Sequence, residues 1–418
     1  MKVTRGYKTE LDLNNEQRTA CLKHTGCARF AYNWGLARAI AAYRATGRRP
    51  NAMQLHRELN ALKKTDFPWM YEVSKCAMQE ALRDLENAYK HFFRKIKLKK
   101  VGTFKGKAGY PTFKKKSQAI GSFRLTGSIK VFAEAIQLPR LGRLRLKERD
   151  YLPVDAKVLS ATVSEEAGRW FVSVQVEEEM SSPGGRLKGE CTAIPAIGVD
   201  LGIKTLATLS DGTTFSNPRA LKHAQKRLRR LERQKSRRTK GSQNRKKTVK
   251  HLAKQHARIA YIRKDATHKL TSYLVKNHAL IAIEDLHVSG MLKNHKLAQA
   301  VSDSSLGEIR RQLTYKAEWH GTHLVVLNRF YPSSKTCSAC GYVKAELSLK
   351  ERTYVCESCG LVLDRDVNAA INLRHEALRT TGSSSGGDAC GVGSAGLLNG
   401  ARETAHAEAG TKRCLGMS

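Results

Sequence analysis

Residues 335–370, KTCSACGYVKAELSLKERTYVCESCGLVLDRDVNAA, contain two Cys-x-x-Cys pairs followed within a few residues by two aspartates. Each pair can supply two thiolates, and four thiolates form the tetrahedral ligand set of a structural zinc ion. Gly341 and Gly360 each follow a pair by one residue, where the chain must turn tightly. The spacing predicts that residues 335–362 form a zinc ribbon around one Zn²⁺. Its ligands would be Cys337, Cys340, Cys356 and Cys359.

Four thiolates leave a zinc ion no open coordination position, so the predicted ribbon is structural and catalysis must be sought elsewhere. Asp200 lies near the middle of a predicted strand, Glu284 ends another strand, and Asp366 lies at the start of a helix. A carboxylate within an apolar strand is costly to bury unless a cation faces it. Carboxylate oxygens suit Mg²⁺ or Mn²⁺, and two such ions can promote phosphodiester hydrolysis.

Each of these acids also has a simpler interpretation. Asp364 or Asp366 could cap the following helix, because a carboxylate accepts hydrogen bonds from the first backbone amides. Glu284 could be an ordinary charge at a strand end. Since neighbouring residues on a strand point to opposite faces, Glu284 and Asp285 cannot both enter one site. The occurrence of three acids at sheet-adjacent positions favours a cation site over unrelated charges.

The chain is strongly basic, since 75 Lys and Arg residues against 37 Asp and Glu give a formal net charge of +38 over 418 residues. Such an excess repels itself unless an anion neutralises it, which indicates a nucleic-acid partner. No segment approaches the roughly 20 apolar residues that span a bilayer. The N-terminal MKVTRGYKTELDLN is too charged for a secretory signal. We therefore expect a cytoplasmic, nucleoid-associated protein of a prokaryote, without membrane contact.

The cysteine content argues against a disulfide scaffold, because ten cysteines are few for a chain of this length. Six of them have no ligand spacing and are predicted to be buried or free thiols. These six are Cys21, Cys27, Cys76, Cys191, Cys390 and Cys414.

Periodicity and composition divide the chain into segments and predict a multi-domain α/β fold. Strand-like stretches enclose a helical insertion, and a Pro/Gly-rich linker leads into a second set of strands and helices. The final residues are too poor in large apolar side chains to pack, so we expect them to be disordered. The segments are a β domain (1–14 and 100–180), a helical insertion (15–99), a linker (181–191), an α/β core (192–334), the ribbon (335–362), a helix (363–379) and a tail (380–418).

Several stretches together resemble the RuvC nuclease of the TnpB family. TnpB proteins are transposon-encoded RNA-guided DNA endonucleases, which are thought to be ancestral to type V CRISPR effectors. The likeness covers roughly residues 1–378. The stretches that carry it are ARFAYNWGLAR (28–38), LRDLENAYKHFF (82–93), GVDLGIKTLAT (198–208), IAIEDL (281–286), the paired knuckles and LDRDVNAAINL (363–373).

The resemblance implies an RNase-H-like fold in which Asp200, Glu284 and Asp366 form the RuvC catalytic triad with Mg²⁺ or Mn²⁺. It identifies Asp366 rather than Asp364, because the acid of the family stands two residues before Asn368. It also implies that the zinc ribbon is inserted just before the third acid. The β domain would correspond to a β-barrel wedge and the helical insertion to a recognition part.

The resemblance further implies two nucleic-acid partners, a guide RNA transcribed from the transposon end and a double-stranded DNA target next to a short flanking motif. Lys75 and Gln79 occupy positions that would contact this motif, with a solvated helix face as the alternative. Arg352 is a candidate for contact with the scissile phosphate, with a surface arginine as the alternative. The basic stretch 222–264 is expected to contact phosphates of the guide RNA or of the heteroduplex.

The predicted function is therefore that of an RNA-guided DNA endonuclease that cuts by two-metal-ion hydrolysis. The alternative within the family is a nuclease-silent RNA-guided repressor, but its acids would be substituted and all three are present here. An actin-like ATPase would need a second Asp-Gly phosphate loop and a glycine-rich adenosine motif, which do not occur before the ribbon. A plain zinc-ribbon RNA-binding protein would leave the acids unexplained.

Overall fold

A computed structural model of the chain describes residues 2–116, 121–179, 196–348 and 351–382. The predicted linker (181–191) and residues 383–418 of the predicted tail lie outside these ranges, as do Cys191, Cys390 and Cys414. Within the described ranges, no helix combines the length and the apolar character needed to cross a membrane.

An antiparallel sheet of seven strands forms the base of the N-terminal unit. The strands are β1 (Lys2–Asp12), β2 (Ser122–Leu125), β3 (Lys130–Phe132), β4 (Ala135–Leu138), β5 (Gly142–Leu146), β6 (Lys157–Glu166) and β7 (Arg169–Glu179). Their order is β2-β6-β7-β1-β5-β4-β3, so the N-terminal strand lies at the centre. No ladder joins the edge strands β2 and β3 in the described part of the chain, so the hydrogen bonds do not close the sheet into a ring.

Three helices occupy the predicted insertion between β1 and β2, namely α1 (Asn15–Thr46), α2 (Ala52–Leu62) and α3 (Lys75–Lys100). Asn14 begins α1 with a capping box, in which its side chain accepts from the backbone of Gln17 at 2.8 Å. Helices α1 and α3 approach closely at Gly35, where an added Cβ would lie 2.5 Å from Leu82 Cδ2. Their apolar faces and one face of the sheet share a single core.

The second unit contains a five-stranded mixed sheet. The strands of this sheet are β8 (Ala196–Leu201), β9 (Thr205–Leu209), β10 (Thr214–Ser216), β11 (Leu280–Glu284) and β12 (His323–Leu327). The helices of the unit are α4 (Ala220–Arg237), α5 (Gln243–Asn277), α6 (Val288–Met291), α7 (Ala298–Ser304) and α8 (Leu306–His320). The strand order is β10-β9-β8-β11-β12, with antiparallel pairing up to β8 and parallel pairing from β8 to β12. This arrangement is the one expected of an RNase-H-like sheet, and the predicted α/β fold class is confirmed.

Helices α4 and α5 form a helical hairpin that projects from the second unit. The turn between them contains Gly241, whose φ of 88° lies in the region that favours glycine. A narrow seam that includes Leu228, Leu252 and Ile259 joins the two helices. The charged residues of the hairpin therefore remain on its outer faces.

The ribbon and one further helix complete the described chain. The ribbon contains the paired strands β13 (Thr353–Val355) and β14 (Val362–Asp364), and α9 (Arg365–Gly382) follows directly. Residues 380–382, which the sequence assigns to the tail, form the end of this helix.

The two faces of the five-stranded sheet have different partners. Ile197, Val199 and Ile283 share a core with α5 and α8. On the opposite face, Ala282 packs with Leu373 of α9. Because side chains alternate along a strand, each position near the strand ends can be assigned to one of these two faces.

Candidate active site and metal centre

Asp200 and Glu284 lie side by side at the carboxyl ends of two neighbouring strands in the five-stranded sheet. Strands β8 and β11 are parallel, and Val199 pairs with Ile283, so Asp200 and Glu284 occupy the next positions on neighbouring strands. Asp200 is the penultimate residue of β8, whereas the sequence predicted a position near the middle of the strand. It therefore lies at the carboxyl edge of the parallel strands, where α/β sheets form their ligand crevices.

Helix α9 brings Asp366 to the same face. Gly198 lies two residues before Asp200 and so points to the same side of the sheet. A Cβ at Gly198 would lie 1.9 Å from the carbonyl oxygen of Ala370, which means that α9 lies directly on β8. Asp366 is in the first turn of this helix. The helix thus starts above the strand ends that carry Asp200 and Glu284.

The electrostatics of Asp200 reflect this convergence. Burial, together with the negative charges of Glu284 and Asp366, raises the pKa of Asp200 to about 7, while the guanidinium of Arg365 opposes this shift. An isolated ionised carboxylate would be unfavourable here, whereas a cation shared with the other two acids would remove the penalty. The arrangement is suited to a site for hard divalent cations.

Two arginines accompany Asp366. The guanidinium of Arg365 donates to its Oδ1 at 3.1 Å, and Arg352 Nη1 lies 3.8 Å from its Oδ2. The backbone amide of Arg365 also donates to the carbonyl oxygen of Arg352 at 2.7 Å, which connects the first residue of α9 to the residue before β13. Arg352, predicted from the sequence as a possible phosphate contact, therefore lies beside the acids.

The two neighbouring acids have other partners. Asp285 forms ion pairs with Arg310 and with Arg329, the latter at 2.6 Å, on the side of the sheet away from Asp366. Asp364 accepts from the backbone amides of Asp366 and Val367 at 2.9 and 3.1 Å, so it caps α9. Asp285 and Asp364 therefore each have partners of their own, and their exclusion from the triad stays a prediction.

The four predicted zinc ligands form a compact cluster. Their sulfur atoms all lie within 4.8 Å of one another, and the Cys337–Cys359 and Cys340–Cys356 sulfurs are 3.6 Å apart. A zinc ion with Zn–S bonds of about 2.3 Å requires sulfurs about 3.8 Å apart, so the thiols fit a tetrahedral zinc centre. No other group of three or more His, Cys, Asp or Glu ligand atoms is this compact in the described ranges.

The local backbone explains how the two Cys-x-x-Cys pairs form. The amide of Cys337 donates to the carbonyl of Tyr342, and that of Cys356 to the carbonyl of Leu361, both at 2.8 Å. The glycine after each pair has a positive φ, 77° at one and 73° at the other, as the tight turn predicted from sequence requires. Tyr354 is fully buried and packs with Cys337 and Cys356, one cysteine from each knuckle.

Sequence reasoning missed three residues that connect the acids to the ribbon. Ser333 donates from its hydroxyl to Glu284 Oε1. Asn368 and Asn372 are buried and donate to backbone carbonyls at the start of the ribbon. The two asparagines stand four residues apart in VNAAINL, on one face of α9, and buried amides at helical spacing were the available signal.

Lys75 and Gln79 lie in the first turns of α3, in the N-terminal unit. Lys75 is exposed, Gln79 is half-buried, and their spacing of four residues places them on one face of the helix. Ser74 caps this helix through the amide of Cys76. Both side chains therefore lie near the N-terminal end of α3.

Three family models match the chain. One is described as a probable transposase and matches residues 171–295, and one is described as a Cas12f1-like TNB domain and matches residues 307–373. The third is described as a helix-turn-helix domain and matches residues 1–48, which form β1 and α1 in the structure. Together these matches span both units and the ribbon.

Two bacterial relatives are named "Putative RNA-guided DNA endonuclease", and the name of one of them ends with InsQ. The relative from Streptomyces pristinaespiralis is 36% identical over 396 residues, which cover 94% of this chain and 92% of the relative. InsQ from Escherichia coli strain K12 is 34% identical over 391 residues, which cover 89% of this chain and 92% of InsQ.

A more distant relative extends the comparison beyond bacteria. TnpB-like protein L79 of Acanthamoeba polyphaga mimivirus is 33% identical over 144 residues, which cover 33% of this chain and 27% of that protein. The bacterial relatives match over nearly their whole length at more than 30% identity. The chain therefore belongs to the TnpB family of RNA-guided DNA endonucleases.

Proposed function

We propose that this protein cleaves target DNA by metal-dependent phosphodiester hydrolysis at Asp200, Glu284 and Asp366. One observation carries the proposal: carboxylates from β8, β11 and α9 converge on one face at the carboxyl ends of the strands, where burial together with Glu284 and Asp366 raises the pKa of Asp200 to about 7. A protein that only binds nucleic acid gains nothing from buried acids, because they repel phosphates. A cation site that attracts a phosphodiester accounts for them.

Bound cations and protein side chains would make different contributions to phosphodiester hydrolysis. Two bound Mg²⁺ or Mn²⁺ ions would supply an activated water and stabilise the leaving oxygen. Asp200, Glu284 and Asp366 would hold these ions at the carboxyl ends of the strands. Arg352 and Arg365, next to Asp366, add positive charge where a phosphate approaches and so favour the developing negative charge of the transition state.

The guide is proposed to be an RNA from the transposon end, and the substrate a double-stranded DNA next to a short motif. The basic α4–α5 hairpin grips phosphates of the guide RNA or of the heteroduplex, while base pairing reads the sequence. Lys75 and Gln79 contact the flanking motif. The ribbon holds Zn²⁺ as a structural ion beside the acids, and the protein acts in the cytoplasm of a prokaryotic cell.

The test starts from the RNA that purifies with the full chain. This RNA is sequenced and mapped to the locus of the protein, and a DNA that matches its guide segment is prepared with a randomised flank. With Mg²⁺, the complex should cut the DNA and enrich one flanking motif among the cut products. If the complex binds this library selectively and never cuts it, the nuclease-silent repressor is the correct function.

A further inference from the structure

The segment between β12 and the ribbon contacts the acidic site directly. Ser333 in this segment is 2% exposed, and its hydroxyl donates to Glu284 Oε1, although 49 residues separate the two in sequence. Glu284 ends a strand and is half-buried, and a long carboxylate side chain has several rotamers from which a hydrogen bond can select. The hydroxyl therefore selects one orientation of this carboxylate.

Ser333 is itself held by α9. The side-chain amide of Asn372 donates to the carbonyl oxygens of Ser333 and Thr336, at 2.8 and 2.7 Å. Asn372 is 3% exposed, and two buried hydrogen bonds from one amide fix the backbone on both sides of Ser334 and Lys335. The position of Ser333 is thus set by the same helix that carries Asp366.

Asn368 extends these contacts to the first knuckle. It is fully buried, donates to the carbonyl of Thr336 at 2.7 Å and accepts from the amide of Ser338 at 3.0 Å. Ser338 follows the zinc ligand Cys337. One continuous set of hydrogen bonds therefore joins the knuckle, α9 and Glu284.

We propose that Ser333 is a positioning residue that orients the Glu284 carboxylate for cation binding, and that Asn368 and Asn372 hold it at the start of the ribbon. The proposal rests on the proposed function of the acidic site. Carboxylates that bind metals are oriented by such outer hydrogen bonds, and their loss typically weakens metal affinity by about tenfold or more. The ribbon then contributes to the metal site although none of its cysteines touches it.

Cation binding, measured apart from cleavage, tests the proposal. Electron paramagnetic resonance counts free Mn²⁺ in a titration of the full chain, freed of RNA and with its zinc retained. Ser333→Ala should weaken Mn²⁺ binding by about tenfold. Ser333→Cys, which keeps the size but donates only weakly, should behave similarly, and Ser338→Ala, which keeps its backbone amide, should match the parent. Guide-loaded Ser333→Ala should recover most of its cleavage rate when Mn²⁺ is raised.

A double-mutant cycle decides the outcome. Glu284→Ala should also weaken Mn²⁺ binding, and Ser333→Ala should then add no further loss, since it acts only through Glu284. If Glu284→Ala weakens binding and Ser333→Ala does not, or if their effects add fully, the positioning role is overturned. If Glu284→Ala itself leaves binding unchanged, the acidic site is misassigned and the proposed function fails with it.

Discussion

In the absence of a cation, ionisation of the Asp200 carboxyl group destabilises the folded protein. The pKa of this group is raised to about 7, first by burial and then by Glu284 and Asp366. The unfolded chain releases this proton near the ordinary value of 3.8, so the native state binds it more tightly. Stability should therefore fall as the pH rises from the unfolded towards the native pKa, and the full penalty applies above about pH 7.

The first prediction concerns the replacement of Asp200 by a neutral residue of similar size. Asp200→Asn should stabilise the cation-free protein over the parent, and the difference should widen by on the order of 2 kcal/mol between about pH 5 and about pH 8. Urea unfolding at both pH values measures it. Mg²⁺ should then stabilise the parent at the higher pH and leave the variant unchanged. A difference that stays constant with pH would contradict the proposed burial cost.

At the scale of elements, the contact between β8 and α9 sets the geometry of the site. Gly198 has no side chain, and the backbone of Ala370 occupies the space where a Cβ would be. Backbone atoms cannot turn aside as a flexible side chain can, so any larger residue must push α9 away from the sheet. Asp366 would move with it.

The second prediction uses this contact. Gly198→Ala should destabilise the second unit by about 3 kcal/mol or more and abolish cleavage, because overpacking against a backbone cannot relax. Gly307 in α8 has open space at its Cβ position, so Gly307→Ala is a matched control that should be neutral or slightly stabilising. Thermal unfolding and cleavage assays compare the two. Equal behaviour of both variants would show that α9 does not lie against Gly198.

The third prediction concerns the ribbon. Cys337→Ser should release the zinc ion and unfold residues 335–362, because the free energy of zinc binding is the folding free energy of such a ribbon. Metal analysis of the purified parent should find one zinc per chain, and the variant should have none. The parallel variant Cys76→Ser should keep the zinc, since Cys76 donates to the carbonyl of Thr126 in the N-terminal unit. A parent protein without zinc would refute the assignment.

The sequence predicted elements with a strong local signal. The strand that ends at Glu284 and the turns at the knuckle glycines follow from patterns within a few residues. The contact between Ser333 and Glu284 spans 49 residues and could not be read from any window of sequence. The central position of β1 likewise depends on pairing with β7, more than 150 residues away. Positions next to predicted strands made the three acids candidates, and the resemblance to the TnpB family selected Asp366 over Asp364, while tertiary contacts determine what orients them.

At the scale of the whole molecule, side-chain contacts hold the N-terminal unit against the second unit. Tyr261 of α5 donates to Glu166 of β6 at 3.1 Å, and Arg5 of β1 stacks over Trp319 of α8 at 4.9 Å. The α4–α5 hairpin is therefore supported at its base by both units.

The fourth prediction tests the hairpin. Arg229, Arg233 and Arg237 are exposed and four residues apart, on one face of α4. Replacement of all three by Gln should weaken guide-RNA binding and reduce the salt dependence of its affinity, with a change in logarithmic slope of about 2. Filter binding at several salt concentrations measures the slope. An unchanged slope with intact folding would exclude this face as an RNA contact.

We propose that Asp200, Glu284 and Asp366 support cleavage of the DNA, whereas the guide RNA and the lysine and arginine residues bind it. The most direct measurement compares binding and cleavage of one matched target by the parent and by Asp200→Ala, each purified with its RNA and supplied with Mg²⁺. Asp200→Ala should bind the target as tightly as the parent and cut it at no detectable rate, as should Glu284→Ala and Asp366→Ala. Asp285→Ala and Asp364→Ala, which change an ion pair and a helix cap, should keep substantial activity. Cleavage by Asp200→Ala at the rate of the parent would contradict the account.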